Sequence, residues 1–235
     1  MITETPIHRN DRFRRGQVEW ALWQYFATGP AAGGSLPKVF ATRVKRLLEL
    51  DRSKKRFPAK IRPSHSFAFF DSDPEGQGSD AEYSCFNVFC LAIGLDLLDA
   101  GFKQSEVVIF LKHVRADLAE QFEWIAKNPI APRMKMSPND RPECPTYEDR
   151  GGRYADCRVF LVVEKIEMGE TYGKKPSAVP LIFAPTFCRG IEALQEELHT
   201  MNFNRRKVLV LELANTAVMI GELLDRAPEI RRGRR

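Results

Sequence analysis

Residues 86–98 read Phe-Asn-Val-Phe-Cys-Leu-Ala-Ile-Gly-Leu-Asp-Leu-Leu, and only Asn87 and Asp96 interrupt the apolar run. The run is shorter than the roughly 20 residues that span a bilayer, so it predicts a core helix and no membrane contact. A helix that is apolar all round needs neighbours on every side. The fold is therefore expected to be helical around this segment. Ala100, Gly101 and Phe102 turn the chain, and residues 105–126 place Val107, Leu111, Val114, Leu118, Phe122 and Ile125 at steps of three and four, the stripe of a long packed helix. Two copies of such a stripe pair as readily as one stripe packs within its own chain, so a homodimer through residues 104–126 is an expectation.

Upstream, residues 13–27 read as a helix with Val18, Ala21, Leu22 and Tyr25 on one face. The Gly- and Pro-containing break at 28–34 ends it. Ser35 offers a cap and Pro37 a first turn for a second helix, which runs to about residue 51. Phe40, Val44, Leu47 and Leu48 make its apolar stripe, and Lys38, Lys45 and Arg52 recur every seven residues on the opposite side, with Arg43 and Arg46 at the flanks. The basic run continues through Lys54, Lys55 and Arg56. Residues 66–70 and 81–84 read as two strands around a polar turn, a hairpin or wing. Two helices, a basic connector and a hairpin resemble the layout of winged helix-turn-helix and MerR-type DNA-binding domains, which place a dimerisation helix downstream. The break between the helices is longer than the usual three to four residues of a helix-turn-helix. Residues 97–110 carry a second helix-turn-helix pattern, ranked lower because Asp96, Asp99 and Glu106 face phosphate badly.

The charge distribution points the same way. Residues 1–62 hold fourteen Lys and Arg against five Asp and Glu, a net +9, and residues 231–235 add four arginines. Since the whole chain carries +5, residues 63–230 carry −8. Clustered cations suit a polyanion, because neutralising phosphates needs them on one surface. The expected contacts with double-stranded DNA are Lys38, Arg43, Lys45, Arg46, Arg52, Lys54, Lys55 and Arg56, with the arginine tail adding sequence-independent affinity. The reading is a sequence-specific DNA-binding protein, a transcriptional regulator acting as a homodimer.

Residues 128–157 hold five prolines and little periodicity, as a linker does. Strands at 157–167 and 179–183, a helix at 189–201, a strand at 207–213 and a helix at 216–225 follow, a ββαβα module. The organisation expected is α+β: a basic winged-helix-like region at 1–84, core and dimerisation helices at 85–127, the linker, an α+β module at 158–230 and a basic tail at 231–235.

Chemistry leaves few marks. No nucleophile elbow, P-loop or dinucleotide fingerprint occurs, and the four histidines fall in no catalytic pattern, so no catalytic residue or cofactor is assigned. Cys85, Cys90, Cys144, Cys157 and Cys188 are too scattered for a disulfide scaffold or a zinc site, which implies a reducing compartment and no metal. The first fifteen residues carry charges without an apolar stretch, as in a cytoplasmic protein without a leader. Residues 71–82 resemble a calcium-binding EF-hand loop, with carboxylates at loop positions 1, 3, 5 and 12 and glycine at 6. A solvated acidic turn is the simpler account. Two further functional readings stay open: an enzyme or small-molecule binder with its site in the C-terminal module, and an RNA or single-strand binder using Phe67, Phe69 and Phe70 as a stacking platform.

Overall fold

The computed structural model describes residues 11–27, 34–53, 66–72, 81–128, 145–149, 152–164, 185–200 and 208–229. Strand β1 (Phe13–Arg14) leads into helix α1 (Arg15–Phe26), followed by α2 (Lys38–Arg52), β2 (Glu82–Tyr83), α3 (Cys85–Asp99) and α4 (Gln104–Lys127). Then come β3 (Thr146–Asp149), β4 (Gly152–Ala155), β5 (Val159–Glu164), β6 (Thr186–Arg189), α5 (Ile191–Thr200), β7 (Val208–Glu212) and α6 (Leu213–Arg226). The mixed α+β architecture, helical first and β/α afterwards, is the one the sequence predicts. The chain divides into two compact units, one of residues 1–56, 62–119 and 216–235, the other of residues 57–61 and 120–215.

In the first unit α3 is the axis. Cys85, the run from Asn87 to Leu95, and Leu97 are all buried, as an all-apolar helix requires. The Ser84 side chain caps it by accepting from the Asn87 N–H at 3.2 Å. At the other end Phe102 N–H donates to Leu97 O and Gly101 N–H to Leu98 O, both at 3.0 Å, a closing motif that puts Gly101 at φ 84°. Gly94 permits a close approach: a Cβ there would stand 3.3 Å from Leu111 Cδ1 and 3.4 Å from the Phe69 ring. In the α4 stripe Val107, Leu111, Val114 and Leu118 are buried, as are Phe122 and Ile125, which belong to the second unit. Intrachain packing therefore accounts for the pattern that also suggested a dimer seam.

Helices α1 and α2 meet through aromatic edges, with Trp23 and Phe40 at 5.4 Å between ring centres and Phe26 and Phe40 at 6.1 Å. Helix α2 starts at Lys38 with Pro37 as its cap residue, so Ser35 lies outside it and does not cap it. The expected wing is replaced by a different pairing. Residues 66–70 form bends rather than a strand, and β2 pairs antiparallel with β1, Phe13 opposite Tyr83 and Arg14 opposite Glu82. The physical reason is that Ala68, Phe69 and Phe70 are buried, and the backbone N–H groups of Ala68 and Phe69 donate to the Asp51 carboxylate instead of to a ladder. The same burial removes Phe69 and Phe70 from any stacking platform.

In the second unit β5 lies between β6 and β7, antiparallel to both. Phe160, Val162, Cys188 and Leu194 form a buried cluster where α5 covers one face of this sheet. The strand expected at 179–183 falls outside the described residues; the second strand of the sheet is Thr186–Arg189. Within the Pro-rich stretch, β3 and β4 form a hairpin, Thr146 opposite Ala155.

Candidate nucleic-acid interface

The two faces of α2 separate as its periodicity predicts. Val44, Leu47 and Leu48 are buried, while Lys38, Val39, Thr42, Lys45, Arg46, Glu49 and Arg52 are exposed. One buried residue breaks the pattern. Asp51 is 1% exposed, although an aspartate is seldom fully buried without a partner. It has several: Ala68 N–H donates to it at 3.0 Å, Phe69 N–H at 2.9 Å, and Lys112 Nζ of α4 lies 3.0 Å from Oδ1 while also donating to the Asp51 carbonyl at 3.2 Å. Lys112 is itself buried. A charge pair taken out of water is held only by geometry of this quality, and here it fixes the last turn of α2 to α4 and to the 66–70 segment.

Arg115, one turn along α4, ties the same segment further. It donates to the Ala68 carbonyl, to Asp71 Oδ1 at 2.9 Å and to Asn87 Oδ1 at 2.8 Å, and its guanidinium lies 4.9 Å from the Phe86 ring centre. Asp71 also accepts from Arg12. Its carboxylate is thereby engaged by two arginines, which weakens the calcium-loop reading; positions 73–80 of that loop lie outside the described residues. Among the described residues no group of three or more His, Cys, Asp or Glu could hold a metal ion.

The expected DNA contacts now divide. Lys38 and Arg46 stand on the open face with no ion-pair partner among the described residues. Lys45 sits 3.5 Å from Glu49, one turn along the same helix, in an exposed pair that costs little to open. The Arg52 guanidinium lies 4.6 Å from the Phe70 ring centre, which supports its stem while leaving the residue exposed. Arg43 reaches the end of α3 instead, 2.7 Å from Asp99 Oδ1. Lys54, Lys55 and Arg56 lie outside the described residues, as does the arginine tail. In the lower-ranked pattern at 97–110, Val107 to Phe110 are buried, while Ser105 in the first turn of α4 is exposed.

Beside the Arg43 contact, burial and then the charge of Asp99 push the Asp96 carboxyl from its ordinary 3.8 up to about 6. The folded state thus holds this proton more tightly than the unfolded chain, so its contribution is complete below pH 4 and is lost as pH rises through 6. Allowing for partial exposure, wild type should lose about 1–2 kcal/mol more than Asp96→Asn across that interval. Parallel pH profiles in denaturant titrations check this.

In the second unit the polar groups engage one another. Asp156 is buried and accepts from Arg158 Nε at 2.6 Å, Arg158 Nη2 at 2.8 Å and Ile191 N–H at 2.6 Å. Arg189 donates to Gln121 Oε1 and Glu120 Oε1, each at 2.9 Å, and lies over the Trp124 ring. In the first unit, burial raises the Cys85 and Cys90 thiols to about 12, with Asp225 adding to the first, so both are inert at neutral pH.

No protein-family model matches the chain, and no curated protein or solved structure matches it either. Among the described residues no helix is long and apolar enough to cross a membrane.

Proposed function

We propose that this protein binds double-stranded DNA through the exposed face of α2 and acts as a transcriptional regulator. One observation carries the reading: Lys38, Lys45, Arg46 and Arg52 share an open helical face on which Glu49 is the lone acid. The second acid of the helix, Asp51, is buried and neutralised by Lys112. That arrangement leaves a net cationic ridge of the width a major groove admits. Lys45, Arg46 and Arg52 are assigned to phosphates. Arg43 joins them only by releasing Asp99, an exposed pair of small worth. The homodimer proposed with this function uses a surface other than the α4 stripe, whose apolar side chains are already buried.

The test is a mobility shift on a pool of random 30-base-pair duplexes at several salt concentrations. Each phosphate contact adds about 0.9 to the slope of log affinity against log salt. Replacing Lys45, Arg46 and Arg52 together by alanine should lower the slope by about 2.7, a loss of a few hundredfold at 0.1 M salt if the lines meet near 1 M. Unchanged slope and affinity in the triple variant, or no shift with wild type at low salt, sinks the proposal. Preference for single strands over duplex would favour the single-strand reading instead.

A further inference from the structure

Val39 is 75% exposed, far more than any other large hydrophobic residue described, the next being Met219 at 46%. Nothing in the packing of α2 explains it, since the apolar stripe lies on the opposite side at Val44, Leu47 and Leu48. Its neighbours on the open face at three and seven residues onward are Thr42 and Arg46. The acid of that face, Glu49, stands two turns further on and beside Lys45. The first two turns of α2 therefore present an apolar group, a hydroxyl and cations, with no carboxylate among them.

The Thr42 hydroxyl has a definite polarity. Oγ1 donates its single proton to the Lys38 carbonyl at 2.8 Å. What it offers outward is lone pairs only, an acceptor. In the major groove the complementary donors are the exocyclic amines, N6 of adenine and N4 of cytosine; O6 of guanine and O4 of thymine are acceptors and do not match. A valine side chain is complementary to the thymine C5-methyl. Val39 and Thr42 are separated by three residues, about 4.5 Å along the helix axis, close to the roughly 3.4 Å step between base pairs.

We infer that the first two turns of α2 are the base-reading end of the interface, Val39 contacting a thymine methyl and Thr42 accepting from an adenine or cytosine amine on an adjacent base pair. The inference rests on the duplex-binding reading of α2, and it separates base reading from phosphate contact along one helix. Lys45, Arg46 and Arg52 set affinity; Val39 and Thr42 set preference.

The experiment selects bound duplexes from a pool with 20 randomised positions, using the full chain, and then replaces each thymine of the selected duplex in turn by deoxyuridine, which removes only the methyl. At one position wild type should lose about fourfold, the worth of one buried methyl, and Val39→Ala should show no difference between the two duplexes. Thr42→Val, which keeps shape and removes the acceptor, should relax preference at a neighbouring adenine or cytosine by about tenfold while the salt slope stays as in wild type. Both side chains are exposed, and urea midpoints matching that of wild type verify that each variant is folded. If wild type binds the pool but enriches no sequence, or if the deoxyuridine effect persists in Val39→Ala, the base-reading assignment is overturned and duplex binding stands. If wild type binds no duplex, both fall together, and the random-pool shift reports that outcome before selection begins.

Discussion

Lys112→Met is expected to destabilise the N-terminal unit by about 3–5 kcal/mol, because it leaves the Asp51 carboxylate buried without its counter-charge. The methionine keeps most of the stem volume, so packing alone predicts little change. The cost is electrostatic: Asp51 is 1% exposed, and its remaining partners, the Ala68 and Phe69 N–H groups, disperse less than a full charge. A second variant isolates the cause. Adding Asp51→Asn to Lys112→Met removes the stranded charge while an amide oxygen still accepts from the backbone, and should recover more than half of the loss. Urea titration of the three proteins measures this; a single variant within 0.5 kcal/mol of wild type, or a double variant less stable than the single one, contradicts the account. Local exchange of the α2 amides should rise with the loss, since the pair fixes that helix to α4.

Asp156→Ala is expected to cost the second unit about 3 kcal/mol. The carboxylate caps the first turn of α5 through the Ile191 N–H, and removing it orphans that donor along with charge-assisted bonds from Arg158. Gly190, at φ 86°, brings the chain into position for this contact, and a Cβ there would lie 3.0 Å from Pro145 Cβ. Burial alone raises the Asp156 carboxyl, but the bonds from Arg158 and Ile191 together hold it below its ordinary 3.8. A depressed carboxyl stabilises above its unfolded value and ceases to do so as pH falls through its folded value. The contribution should therefore be complete at pH 5 and drain away below pH 4, and Asp156→Asn should lose less on acidification than wild type does. Hydrogen exchange at the α5 and β5 amides reads it; protection unchanged in Asp156→Ala would show that the clamp is not needed.

Hydrophobic periodicity by itself determined the two faces of α2, the all-round burial of α3, the stripe of α4 and the elements β5, α5, β7 and α6, because each is a repeat within a dozen or so residues and burial acts on each element locally. The exposed cations of α2 were legible for the same reason. Three decisive features belonged to the tertiary structure. Asp51 reads as one more polar residue in a basic helix, and only the arrival of Lys112, 61 residues later, makes its burial affordable. Local pattern suggests a wing, yet a strand needs a partner; the backbone donors of Ala68 and Phe69 go to Asp51, and β2 pairs with β1. Arg43 looked equal to its neighbours until α3 brought Asp99 to 2.7 Å of it. In each case the energy comes from a pair distant in sequence, and no window of local pattern contains both partners.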